Sequence, residues 1–164
     1  MPRIRKSWRE KLADDKGLPR VGIITSGMRL CWGAKVGDRM LIPAPREVDA
    51  LMRRVPAGKL ATINDLRAAL AKKHHAQITC PITTGIFAWI AAHAADEALA
   101  DESIKPSAMT PYWRTLKNQG ELNPKYPGGI PAIAKKLRAE GHKITRKGKR
   151  LFVANFEKSL AHLP

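Results

Sequence analysis

The chain has 164 residues, 44% of them hydrophobic, and a formal net charge of +16 at pH 7. This length suits one folded domain, and so basic a balance is typical of a protein with a polyanionic partner, most commonly nucleic acid. No stretch approaches 18 apolar residues and the first residues lack the apolar core of a signal peptide, so the sequence predicts no membrane span and favours a cytoplasmic protein, nucleoid-associated if bacterial.

The first third of the chain is predicted to be a basic extension. Residues 1–20 are polar and charged, which suits an arm with a short helix at most. Apolar runs within 21–43 predict a small hairpin, and the helical spacing of apolar residues predicts a helix over 46–54. We therefore divide the chain into an extension, residues 1–54, and a main domain, residues 55–164.

The main domain begins with a predicted helix-turn-helix. Thr62 can cap the first helix, with Asp65 three residues later as a capping-box partner. Residues 81–100 suit the second helix. The residues of this second helix that we expect to face inward are Ile82, Phe87, Ile90 and Ala94.

A third helix and a second hairpin are predicted to follow. The pattern indicates a helix over 130–140 that ends at Gly141, and alternation over 142–156 predicts a hairpin. Its glycine-centred tip is typical of a DNA-binding wing, although a solvated turn fits equally well. The predicted fold is α+β and mainly helical: a winged-helix or helix-turn-helix domain with a small N-terminal hairpin and a C-terminal wing-like hairpin.

Four short blocks between residues 55 and 142 share their order with one known family. The blocks are Val55–Thr62 with Asp65-Leu66, Pro111-Tyr112-Trp113-Arg114, Gly120 through Tyr126-Pro127-Gly128-Gly129, and Leu137 with Glu140-Gly141-His142. They resemble the DNA-binding domain of the O6-alkylguanine-DNA alkyltransferases. The family's ribonuclease-H-like domain is not recognisable in residues 1–54, which is typical of the alkyltransferase-like proteins that lack the acceptor cysteine.

The resemblance implies that alkyl-transfer chemistry is lost. Tyr112 stands where the family has its acceptor cysteine, and Trp113 stands where it has the histidine that takes the cysteine's proton. A phenol with a pKa near 10 stays protonated at neutral pH and attacks carbon poorly, and an indole accepts no proton in this way. We therefore expect no alkyltransferase activity, although Glu140 matches the glutamate that orients the histidine.

The resemblance also implies a pocket for an alkylated base and a set of DNA contacts. Arg114 is better suited to bracing the loop or Glu140 than to touching DNA. The predicted pocket residues are Tyr112, Trp113, Arg114, Tyr126, Gly128, Gly129 and Glu140. The predicted DNA-binding residues are Thr62, Lys72, Lys73, Lys117, Lys125, Arg146, Lys147, Lys149 and Arg150.

One family feature is missing from residues 74–113. The family inserts an arginine from its second helix into the base stack, and this segment contains no arginine. Phe87 or Trp89 is a candidate wedge instead, because aromatic and apolar side chains also enter base steps, although both suit a core. Base flipping is thus implied by analogy alone.

The expected partner is double-stranded DNA, alkylated or intact, with excision-repair proteins as candidate further partners. Cys31 and Cys80 have no metal-ligand spacing, so the sequence predicts no metal, disulfide or cofactor. Two alternatives stay open: a base-flipping, glycosylase-like enzyme, which would release a free base, and a plain winged-helix regulator, which would bind damaged and undamaged DNA equally.

Overall fold

The computed structural model describes residues 2–26 and 33–164. The chain is α+β and mainly helical, as predicted. Its helices are α1 Trp8–Ala13, α2 Pro45–Arg53, α3 Ile63–Lys73, α4 Pro81–Ala100 and α5 Gly129–Ala139. Its strands are β1 Arg20–Ile23, β2 Arg39–Ile42, β3 Ala61–Thr62, β4 Ile78–Thr79, β5 Thr115–Leu116, β6 Ile144–Lys147 and β7 Arg150–Val153.

Three small sheets hold the helices together. β1 pairs antiparallel with β2, which confirms the N-terminal hairpin, and β2 pairs in parallel with β4. β3 and β5 form a two-residue parallel pair, and β6 and β7 form the predicted C-terminal hairpin. Cys31 lies outside the described residues, and Cys80 is a half-buried free thiol before α4.

One core runs through both predicted parts of the chain. Leu41, Val48 and Met52 are fully buried in the same cluster as Leu66 and Leu137. α2 packs against α4, the longest helix, so residues 1–54 do not form a separate unit. The boundary that we placed at 54/55 therefore separates segments of one core.

Local capping sets the start of α3. The Thr62 side-chain oxygen accepts the backbone N–H of Asp65 at 3.2 Å, and the Asp65 carboxylate accepts the N–H of Thr62 at 2.7 Å. This reciprocal pair satisfies two donors that a helix start leaves unpaired. The predicted capping box is confirmed, and α4 follows α3 after a seven-residue connection that includes β4.

α4 is buried on most of its circumference. Phe87, Ile90 and Ala94 face the core as predicted, but Ile82 is 61% exposed. Positions 82, 86, 89, 93 and 97 follow helical spacing along its outer side, which we call the outer face of α4. Our expectation that Ile82 faces inward is wrong, because this residue lies on that outer face.

α1 covers the second half of the outer face of α4. The Trp8 ring packs edge-on against Trp89 and stacks on His93, each at 4.6 Å between ring centres. The backbone N–H of Trp8 donates to the Glu97 carboxylate at 2.8 Å. The acidic end of α4 thus anchors the N-terminal helix, and Arg9 pairs there with Glu97 and Asp101. Among the described residues, no helix is long and apolar enough to cross a membrane.

We predict that Thr62→Ala lowers the free energy of unfolding by about 1 to 2 kcal/mol, because the start of α3 loses its cap. Urea denaturation followed by circular dichroism measures the loss. Thr83→Ala is the control, since Thr83 lies in the first turn of α4, where its hydroxyl donates to the Cys80 carbonyl at 3.4 Å but accepts no backbone N–H as a cap. An equal loss in both variants would show that the cap contributes nothing specific.

Candidate nucleic-acid interface

The turn at Tyr112–Arg114 is fixed by Arg114. Its guanidinium donates from Nε to both carboxylate oxygens of Glu140, at 2.9 and 3.1 Å, and from Nη1 to the Val55 carbonyl at 2.9 Å. Burial opposes ionisation of Glu140, but the hydrogen bonds and charge of Arg114 outweigh it and lower the pKa of Glu140. Arg114 therefore braces Glu140, as expected from the sequence.

Tyr112 lies in the core beside this brace. Its side chain is 2% exposed and packs edge-on against Trp113 and Tyr126, at 5.4 and 5.8 Å between ring centres. Burial, helped by the negative charge of Asp96, raises the pKa of Tyr112 to about 12. The phenol stays protonated at neutral pH, so it supplies no nucleophilic oxyanion.

A cavity of about 550 Å³ opens above Tyr126. Its walls are the first turns of α3 and α4, β5 and the chain that follows β5. Tyr126 is buried, and burial raises the pKa of its hydroxyl above the ordinary value. The polar groups that line the cavity beside Tyr126 are Asn64, Arg67, Lys117, Asn118 and Asn123.

Of the predicted pocket residues, the structure brings Tyr126 to this cavity. Tyr112, Trp113, Arg114 and Glu140 belong to the core and the brace instead. The two glycines shape the turn before α5, where a Cβ added to Gly128 would lie 2.6 Å from the Cβ of Ala132. Both glycines have positive φ, which suits glycine at this turn.

A second cavity, of about 690 Å³, continues along α4. It shares Gly85, Lys117 and Asn123 with the first cavity, so we name the two together the α4 groove. Ile82 and Ile86 form its apolar side. The charged residues that line the groove are Arg67, Lys117 and Lys125, all of them cations.

Arg67 is the most buried cation of the α4 groove. It donates from Nε to the Thr79 carbonyl at 3.0 Å and from Nη1 to Asn64 at 3.0 Å, without a carboxylate partner among the described residues. Burial lowers the pKa of Arg67, although an arginine stays charged near neutral pH. Its positive charge therefore stays available to an anion in the groove.

Three predicted DNA-binding residues are occupied elsewhere. The Thr62 hydroxyl is buried and bonded to Asp65, so it caps α3 rather than meeting phosphate. Lys73 pairs with Glu47 at 2.8 Å and lies with Lys72 beside a different cavity, between α2 and α3. Arg150 donates to both carboxylate oxygens of Glu121, at 2.9 and 2.7 Å.

The remaining cations of the C-terminal hairpin face solvent. Arg146, Lys147 and Lys149 are exposed and make no ion pair within residues 2–26 and 33–164. They project from the hairpin whose strands are β6 and β7, in the position of a wing. The hairpin thus presents three unpaired positive charges.

The two predicted wedge residues differ in exposure. Phe87 is 4% exposed in the core, so it has no surface to insert into a duplex. Trp89 is half-buried: its ring packs against Trp8 and His93, and it also lines the second cavity of the α4 groove. Sequence reasoning missed Ile82 and Ile86 because α4 is apolar on nearly every side, and the pattern alone does not show which side stays open.

The helix pair α3–α4 and the hairpin β6–β7, with a cationic groove along α4, define the class as an α+β chain of winged-helix type. Two solved structures are similar to it. One is S. pombe Atl1 in complex with damaged DNA containing O6-carboxymethylguanine, at 16% identity and a TM-score of 0.44, covering 72% of this chain and 94% of that one. The other is S. pombe ATL in complex with DNA, at 15% identity and a TM-score of 0.43, with the same coverage of both chains.

No family model matches this chain, and no curated protein matches it. Within the described parts of the chain, no three His, Cys, Asp or Glu side chains are grouped so that they could hold a metal ion.

We predict that Glu140→Gln destabilises the protein at neutral pH by about 1 to 3 kcal/mol, because Arg114 loses its charged partner. The pKa of Glu140 is lowered from 4.5 on folding, so its contribution is complete above 4.5 and is lost as the pH falls through the folded value. The variant should therefore lose less stability than wild type on acidification below 4.5. Chemical denaturation at several pH values measures this.

Glu157→Gln is the matched control, since Glu157 is exposed and makes no ion pair in the described chain. It should retain the wild-type acid dependence. If Glu140→Gln and Glu157→Gln behave alike, the brace does not stabilise the fold.

Proposed function

We propose that this protein binds double-stranded DNA and recognises O6-alkylguanine or a similar lesion without repairing it, so that it flags the lesion for excision-repair proteins. The observation that carries the proposal is the cavity above Tyr126, which forms one part of the cationic α4 groove. Its volume of about 550 Å³ lies in the range of small-molecule sites and accommodates a purine base.

Electrostatics supports a duplex as the partner. Arg67, Lys117 and Lys125 line the α4 groove, and the hairpin adds Arg146 and Lys149. Lysine and arginine contacts to phosphate supply most non-specific DNA affinity, and a net charge of +16 favours association with the DNA backbone. We place the DNA-binding surface on the groove and the hairpin rather than on Lys72 and Lys73.

Chemistry supports recognition without repair. The residue in the place of the acceptor cysteine is Tyr112, a buried phenol whose pKa is raised to about 12. Trp113 beside it packs between the cations of Arg114 and Lys136 and offers no basic nitrogen. A proton relay from position 112 to Glu140 is therefore interrupted at Trp113.

A base held in the cavity would meet Tyr126 and the amides of Asn64, Asn118 and Asn123. Asn64 is already bonded to Asn118 at 2.6 Å and to Arg67 at 3.0 Å, and the Asn123 Oδ1 accepts the backbone N–H of Lys125. The NH2 groups of Asn118 and Asn123 can donate to the edge of an extruded base while the tyrosine ring contacts its face. Phosphate contacts are shared by damaged and intact duplex, whereas these contacts exist only for the extruded base. Preference for the lesion thus depends on the cavity.

We predict that Tyr126→Ala weakens binding to duplex containing O6-methylguanine by about 1 to 3 kcal/mol, the usual value of a base–aromatic contact, and changes binding to the undamaged duplex little. Fluorescence anisotropy on matched oligonucleotides measures both affinities. Tyr126→Phe is the control, because it keeps the ring, and far-ultraviolet circular dichroism checks the fold. If a folded Tyr126→Ala variant binds both duplexes more weakly by the same factor, the cavity does not recognise the lesion and the protein is a plain DNA-binding protein.

We predict that incubation with O6-methylguanine DNA leaves the lesion in place and the protein mass unchanged. Tyr112→Cys should not gain transfer, because the thiol would lie in the core and Trp113 accepts no proton. Intact-protein mass spectrometry and analysis of the digested DNA measure both outcomes. A methyl group gained on the protein would refute loss of transfer, and a released free base would identify a glycosylase.

A further inference from the structure

Two isoleucines on the first turns of α4 are left uncovered. Ile82 is 61% exposed and Ile86 is 45% exposed, one helical turn apart on the outer face of α4. The chain covers the rest of this face: Trp8 packs on Trp89 and His93, and Glu97 binds the start of α1. The fold thus partly covers the second half of the face, where Trp89 still borders the second cavity, and leaves this pair open.

The isoleucine pair lies beside two positive charges. Both side chains line the α4 groove together with Lys117 and Lys125, and no carboxylate lines that cavity in the described chain. An added Cβ at Gly85, between the two isoleucines, would meet no atom within 4 Å, so a flat surface can approach the helix closely here. Apolar side chains beside lysines suit a partner that offers an apolar interior to the isoleucines and negative charges to the lysines.

Duplex DNA has both of these properties. Its stacked bases are apolar between two phosphate backbones, and proteins use Ile, Leu or Phe side chains as wedges that partly unstack a base step. A second copy of this chain fits less well, because two molecules of net charge +16 repel each other. Charge complementarity therefore favours DNA as the occupant.

We propose that Ile82 and Ile86 form an apolar wedge that enters duplex DNA between two base pairs, while Lys117 and Lys125 hold the phosphates beside it. This proposal rests on the DNA binding of the proposed function but not on its lesion preference. Gly85 lines both cavities of the α4 groove, so the wedge stands next to the cavity above Tyr126. A base that the wedge displaces from the stack would therefore lie beside the cavity above Tyr126.

The test uses the full chain and an undamaged duplex that carries 2-aminopurine, whose fluorescence rises when it is unstacked. Wild type should raise the fluorescence of the probe at one base step. Ile82→Ala/Ile86→Ala should lose this rise and bind on the order of tenfold more weakly, which corresponds to about 1.4 kcal/mol. Its slope of log K against log salt should stay that of wild type, because phosphate contacts remain.

Two controls separate the wedge from general binding. Ile23→Ala removes an isoleucine that is 54% exposed on β1, and should leave fluorescence and affinity unchanged. Lys117→Ala/Lys125→Ala should flatten the salt slope by about 1.8, at about 0.9 per lost contact, yet keep the fluorescence rise at saturating protein. Ile82→Leu/Ile86→Leu should restore the rise, since leucine is also an apolar wedge.

The remaining outcomes separate the wedge from the proposed function. A fluorescence rise that persists in Ile82→Ala/Ile86→Ala overturns the wedge. Sedimentation that shows self-association of wild type, lost in this variant, also overturns it, because the isoleucine pair would then bind a second copy of the chain. If wild type binds lesion and intact duplex with equal affinity, the proposed lesion recognition is refuted but the wedge is not, because the fluorescence experiment tests the wedge on undamaged DNA. Wild type that binds no DNA refutes both.

Discussion

The ion pair between Arg114 and Glu140 joins three parts of the chain that the site requires. Arg114 lies two residues after Tyr112, Glu140 directly follows α5, and the Val55 carbonyl that Arg114 also binds follows α2. Both side chains are only about 15% exposed, so loss of one partner would leave a charge with little solvation. The brace holds the Tyr112 ring against Tyr126, and Tyr126 in turn forms the wall of the cavity.

The distribution of carboxylates explains why the α4 groove is positive. Glu47 pairs with Lys73, and Glu97 and Asp101 pair with Arg9, all away from the groove. Glu140 is held by Arg114, and Glu121 is held by Arg150 and also pairs with Lys117 of the groove at 3.7 Å. Among the described residues no carboxylate lines the groove itself, so its lining charges have one sign, and like charges in a concave surface reinforce the attraction of an anion.

Features governed by local sequence were predictable, and features governed by long-range packing were not. The caps and apolar spacing placed α2, α3, α4 and both hairpins. The exposure of Ile82 depends on Trp8, more than 70 residues earlier, which covers only part of α4. The role of Arg150 depends on Glu121, which lies 29 residues away in sequence. Motif resemblance found Tyr126 but also named Tyr112 and Gly128, because a shared motif contains core and turn residues as well as cavity residues.

The C-terminal hairpin is joined to the chain that walls the cavity. The Leu122 N–H donates to the Leu151 carbonyl at 2.9 Å, and Arg150 grips Glu121, four residues after Lys117. These contacts tie the hairpin to the segment that walls the cavity, so a displacement of the exposed hairpin is passed on to the cavity rim.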